Sequence, residues 1–350
     1  MRRQEFNTDP HCCDSTTPGL EASEVMANLI AMRRSLLFLT SHLVVALVAL
    51  VAIGGATRVM EAGLACPDWP LCYGSFLPGG RMNLQVFLEW FHRLDAFLVG
   101  MALLVLAGWS VLRRLALPAW LPWASGAALL LVAVQGLLGA LTVTQLLRFD
   151  VVTAHLGTAL VLVALLSGVH QGLIPKPSFP GANPITVGTA VTPPALLFVR
   201  AAGAATAMAA LAVFAQAISG ALMATQWASG RCLSSGEACS LLATHRQLAA
   251  PVALVVVLCC SVTLLTPATR RRSWPFALGG VLLVVVQVML GVLTLRLSLA
   301  VPLITVGHQI TAALLLGLLT ALAVRNWSLA PAQPAAVQTL RSSTLESCHG

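Results

Sequence analysis

Gln135-Gly136-Leu137-Leu138-Gly139-Ala140-Leu141-Thr142 and Gln287-Val288-Met289-Leu290-Gly291-Val292-Leu293-Thr294 share the pattern Gln-x-x-x-Gly-x-x-Thr, 152 residues apart. Each copy lies inside an apolar run, and polar residues kept at the same places in two such runs mark an internal repeat. Working outward, His92-Arg93 precedes the first copy and His245-Arg246 the second, 153 residues apart. His155 and His308 follow, again 153 apart. The chain reads as one unit used twice.

Composition names the solvent of that unit. Of 350 residues, 58% are hydrophobic and only 9% charged, which a water-facing globular surface does not tolerate. A bilayer core about 30 Å thick needs roughly 20 apolar residues per helix. Runs of that length fall near 35–54, 86–112, 120–143, 151–174, 198–223, 242–266, 274–295 and 300–324. The expected fold is therefore an all-α integral membrane protein with eight transmembrane helices. They form two repeated four-helix bundles related by a pseudo-twofold axis along the membrane normal, because each half has an even number of spans. The expected layout is a disordered tail (1–30), a first half (31–175), a linker (176–197), a second half (198–325) and a tail (326–350).

The net charge of +8 does not point to nucleic acid, since the basic residues are single or clustered at helix ends, with no aromatic-flanked basic groove. They sort by side instead. Arg33, Arg34, Arg113, Arg114, Lys176, Arg200, Arg270, Arg271, Arg272 and Arg325 share the amino-terminal side, against Arg58, Arg81, Arg148, Arg231 and Arg296 opposite. The positive-inside rule then puts both termini in the cytoplasm of a bacterial cell membrane.

On that topology Cys66 with Cys72, and Cys232 with Cys239, lie in outer loops, each between the first two helices of its half. Outside is oxidising, and these spacings can close a small disulfide ring in each loop. Zinc is disfavoured, because neither pair has a Cys-x-x-Cys bite and no loop histidine accompanies them. Cys259 and Cys260 sit in an apolar helix, and Cys12, Cys13 and Cys348 in the tails; they carry no functional expectation.

A lone membrane histidine is usually a hydrogen-bonded polar residue. Four at duplicated positions, His92, His155, His245 and His308, offer two imidazoles at one depth in each half, and two facing imidazoles can hold one haem iron. His11, His42, His170 and His349 have no repeat partner. Glu89 shares a helix face with His92, whereas the second half has Leu242 there. An ionisable group so placed suggests chemistry confined to the first half. Alternatively, Glu89 only pairs with Arg93.

Gly54-Gly55-Ala56-Thr57-Arg58, Gly63-Leu64-Ala65-Cys66-Pro67-Asp68-Trp69-Pro70-Leu71-Cys72-Tyr73-Gly74 and Glu89-Trp90-Phe91-His92-Arg93 closely resemble the haem A synthase family. The likeness continues through His155-Leu156, His245-Arg246 and His308-Gln309. It implies oxidation of the C8 methyl of haem O to a formyl group by successive hydroxylations, giving haem A for terminal oxidases. It further implies that His245 and His308 ligate a resident haem b, while His92, His155 and Glu89 line the substrate haem site. Expected partners are haem O, an external electron donor, the haem O synthase, membrane lipid and a second copy of the chain. Asp95 departs from the family pattern, where an apolar or small residue is expected. The alternatives are a di-haem b-type membrane cytochrome that only passes electrons and, more remotely, a transporter with a parallel repeat.

Overall fold

The computed structural model describes residues 18–175, 193–228, 237–297 and 301–328. Within them run eight long helices: α1 (Pro18–Val59), α2 (Leu84–Leu112), α3 (Leu121–Thr144), α4 (Phe149–Leu173), α5 (Pro193–Ala228), α6 (Glu237–Leu265), α7 (Pro267–Arg296) and α8 (Pro302–Trp327). Each contains a stretch long and apolar enough to cross a bilayer.

The helices outrun the apolar runs. α1 begins at Pro18, inside the stretch expected to be a disordered tail, and α8 continues two residues past Arg325. α7 starts at Pro267 rather than near 274 and carries Arg270, Arg271 and Arg272 on its first turns. Hydropathy marks what the hydrocarbon accepts, while helix ends are set by caps and proline; Pro267 and Pro302 sit at first helical positions, where a missing N–H costs nothing. Asn83 caps α2 by accepting the Val86 N–H at 2.9 Å.

Successive helices pack side by side. Contacts α1·α2, α2·α3, α3·α4 and α1·α4 close one ring, and α5·α6, α6·α7, α7·α8 and α5·α8 close another. The rings meet through α4·α8, α1·α8 and α4·α5. At α4·α8 small residues let the backbones approach: a Cβ on Gly317 would stand 2.9 Å from Ser167 Oγ, and one on Gly168 would touch Thr320 and Val324. Leu160, Val163, Leu166, Leu315, Leu319 and Leu322 are buried around this seam. Val45, Phe97, Leu130 and Leu282 are exposed, as suits helices whose outer solvent is lipid.

Candidate haem sites

The four repeat histidines lie at one end of the helix array. His92 and His245 come eight residues after the first residues of α2 and α6, and His155 and His308 six residues after those of α4 and α8. At 1.5 Å per residue these are depths of about 12 and 9 Å.

Each imidazole rests against a glycine of the preceding helix. A Cβ on Gly54 of α1 would stand 3.0 Å from His92 Cε1, and one on Gly220 of α5 would stand 2.8 Å from His245 Cε1. A Cβ on Gly291 of α7 would stand 3.0 Å from His308 Cε1, and one on Gly139 of α3 would stand 3.6 Å from His155 Cε1. Two of these glycines belong to the duplicated Gln-x-x-x-Gly motif, so its function is local: the glycine admits the ring and the glutamine holds what lies beside it. Gln135 Nε2 donates to the His155 carbonyl at 2.9 Å, and Gln287 Nε2 lies 3.4 Å from His308 Nε2.

In the first half the His92 and His155 rings stand 6.3 Å apart, centre to centre, and edge-on at 77°. Two imidazoles that hold one iron from opposite sides at about 2 Å each place their ring centres roughly 6 Å apart. The pair fits a haem iron in spacing. Both Nδ1 atoms are buried without a hydrogen-bond partner; the backbone of Leu50 faces the His92 ring.

The second half differs here. His245 Nδ1 stands 2.8 Å from Ser219 Oγ, and His308 Nδ1 lies 3.1 Å from the Gln287 carbonyl. Metal-bound histidines usually donate their other ring N–H to such a partner, which fixes the tautomer and the ring plane. These two rings therefore have the anchoring a permanent iron ligand needs.

Glu89 is buried, at 4% exposure, and its two oxygens are engaged. Oε2 accepts the Cys66 N–H at 2.7 Å, and Oε1 accepts from Arg93 Nη2 at 2.5 Å. Arg93 also donates to the carbonyls of Asp68 at 2.6 Å, Leu71 at 2.5 Å and Cys66 at 3.4 Å. Trp90 Nε1 reaches the Phe76 carbonyl at 2.7 Å. One face of the first turns of α2 thus holds the loop between α1 and α2, within which Cys66 and Cys72 are joined as a disulfide. Asp68 closes the loop from inside by accepting the N–H groups of Tyr73 at 2.6 Å and Gly74 at 2.8 Å, where Gly74 has the positive φ of 71° that glycine adopts freely. The Gly74 and Tyr73 amides, with Arg93 nearby, hold the Asp68 carboxyl below its ordinary range.

The second expected disulfide, Cys232 with Cys239, lies outside the described residues. His170 hydrogen-bonds Thr40 Oγ1 at 2.9 Å and His42 the Phe38 carbonyl at 2.8 Å, ordinary satisfied roles. Asp95 is half-buried, one helical turn beyond His92. Sequence reasoning missed Gln216, Ser219 and the glycines of α1 and α5. Gln216-x-x-x-Gly220 is a third copy of the glutamine–glycine spacing and was the available signal.

Comparison with known proteins places the whole chain rather than single residues. A family model described as COX15-CtaA, cytochrome oxidase assembly protein, matches residues 34–320. A Sphingopyxis alaskensis protein named heme A synthase is 33% identical over 184 residues, 43% of this chain and 52% of that protein. A heme A synthase of Shewanella oneidensis is 36% identical over 133 residues, 33% of this chain and 39% of that one. One from Chelativorans sp. is 32% identical over 133 residues, 35% of this chain and 36% of that protein. The aligned segments span about half of the first relative and less of the other two. Matched over most of its length, and with eight helices able to cross a membrane, this chain belongs to the COX15-CtaA family of cytochrome oxidase assembly proteins.

Proposed function

We propose that the protein is a haem A synthase that oxidises the C8 methyl of haem O to a formyl group by successive hydroxylations. The first half would take the substrate between His92 and His155. The second would hold haem b through His245 and His308; when bound, that group passes single electrons from an external donor. The observation that carries the reading is the unequal anchoring of the two pairs. Partnered Nδ1 atoms suit a resident ligand, and unpartnered ones suit a macrocycle that must enter and leave. A cytochrome that only passes electrons has no use for that difference.

The chain's own residues supply placement. Gly54 lets the His92 ring lie close to α1, and the loop pinned by Glu89 and Arg93 lies at the same helix ends as the pocket, where it would limit water entry. Glu89 would serve the reaction from the His92 face of α2 as a fixed negative charge beside the substrate. We read the two helix rings as repeats about an axis along the membrane normal: that axis exchanges α1·α8 with α4·α5 and returns α4·α8 to itself. The amino terminus would be cytoplasmic and the Cys66–Cys72 loop outside, in a bacterial cell membrane. Haem O synthase and a second copy of the chain are the proposed partners.

The test is to express the chain in a host that makes haem O but no haem A, and to separate the extracted haems by chromatography. Haem A is expected. Haem O and haem B alone, from membranes containing the haem-loaded protein, would favour the electron-passing cytochrome.

A further inference from the structure

The two α-helical seats of the tandem histidines His92 and His245 share a glycine and differ at two positions beside it. Counted from the glycine under each ring, α5 carries Gln216, Ser219 and Gly220, and α1 carries Leu50, Ile53 and Gly54. The second half has a hydroxyl where the first has a hydrocarbon branch.

The donors around His245 can be assigned. Gln216 Nε2 donates to the His245 carbonyl at 2.6 Å, which fixes the amide orientation and places its second N–H toward Nδ1 at 3.2 Å. Ser219 Oγ donates its one proton to the Gln216 carbonyl, one turn back on the same helix, at 2.8 Å. That hydroxyl has only lone pairs left for His245 Nδ1, also at 2.8 Å. Ligation of iron through Nε2 would put the ring proton on Nδ1, where the Ser219 hydroxyl is placed to accept it. Gly220 lies under the same ring, where a Cβ would stand 2.8 Å from His245 Cε1, so the imidazole packs closely on α5.

We infer that Ser219 is the positioning residue of the second site: by accepting the Nδ1–H of His245 it aims Nε2 at the haem iron and strengthens it as a ligand. This rests on the proposed assignment of His245 to haem b. A histidine whose far N–H is hydrogen-bonded is the more basic ligand and favours the oxidised iron. Ser219 therefore sets how readily the resident group gives up its electron, without touching the substrate.

The test is a redox titration of the haem b absorption band, with haem per protein measured alongside, on the purified holoprotein. In Ser219→Ala the midpoint potential is expected to move positive and haem to be lost more readily during purification. Ser219→Thr, which keeps the hydroxyl, should titrate like wild type. Should Ser219→Ala fail to accumulate, Ser219→Cys, of similar size but a weak acceptor, carries the same expectation. Wild-type potential and haem content in the alanine or cysteine variant would overturn the role of Ser219, provided His245→Ala is free of haem b. If His245→Ala keeps its haem b and His92→Ala loses it, the site assignment beneath the inference fails instead.

Discussion

Glu89 Oε2 accepts the backbone N–H of Cys66 at 2.7 Å, so the buried carboxylate one turn before His92 is also the anchor of the disulfide loop. Its other oxygen is held by Arg93, and the proposed role as a charge beside the substrate separates by substitution from the observed one as post for the loop. Glu89→Gln keeps an acceptor for Cys66 but loses the charge; Glu89→Ala loses both. Losing a hydrogen bond to a charged group costs about 1.5–3 kcal/mol, here local to the loop because Arg93 retains three carbonyl acceptors. Both variants are expected to insert and to keep haem b. If charge is what matters, haem A output falls severely in both, with haem O or a hydroxylated intermediate accumulating; if anchoring is what matters, Glu89→Gln retains most of it. Wild-type output from Glu89→Ala at equal expression would remove Glu89 from the reaction.

The glycine seats give a graded expectation. Alanine in place of glycine inside a helix is favourable by up to about 1 kcal/mol, so any loss reports the space taken by the new methyl. Gly220→Ala and Gly291→Ala would press a Cβ to 2.8 and 3.0 Å from the rings of His245 and His308, and haem b per protein is expected to fall. Gly139→Ala, with 3.6 Å available, should be tolerated. Equal haem content in all three by pyridine haemochrome would mean the rings are not held where iron needs them.

Asp68 ties the α1–α2 loop to pH. Its carboxyl is held below the ordinary range chiefly by the Gly74 and Tyr73 amides, so its contribution is complete above the usual carboxylate pKa of about 4 and is lost as pH falls through its own lower value. Amide exchange of the Tyr73–Gly74 segment, corrected for intrinsic pH dependence, is expected to be slow at neutral pH and fast in Asp68→Asn. The two should converge in strong acid. Indistinguishable exchange at neutral pH would show that the disulfide alone orders the loop.

Eight spans and the duplication were legible because both are written in periodicity: apolar runs set by bilayer thickness, and His, Gln and Gly recurring at one offset. Helix ends were less so, since α7 extends outward through three arginines that hydropathy assigns to a loop. Glu89 and His92 share a face, as spacing requires, yet spacing cannot say that both carboxylate oxygens turn to the loop, which depends on where Cys66 is carried by residues 60–83. The inequality of the histidine pairs was written in Ser219 against Ile53. It stayed unread because the glycines below those rings do not keep the 153-residue offset: the segment between Gly220 and His245 is shorter than that between Gly54 and His92.

Removing the histidines singly decides which half holds what. On the proposed assignment His245→Ala or His308→Ala takes one of two axial ligands from an anchored pair, and the low-spin haem b spectrum should vanish while the protein still inserts, since the apolar spans are unchanged. His92→Ala and His155→Ala should keep that spectrum and its stoichiometry, because the rings they remove stand 6.3 Å apart in the other half and have no Nδ1 partner to lose. Their deficit should appear in turnover, as unconverted haem O in membranes that still contain haem b. The measurements are an absorption spectrum with haem per protein on purified variants, and chromatography of haems extracted from the membranes. Loss of all haem b from His92→Ala or His155→Ala alone would reverse the two halves. Loss of about half the haem from a substitution in either pair would instead mean two permanent groups, as a di-haem cytochrome that only passes electrons requires.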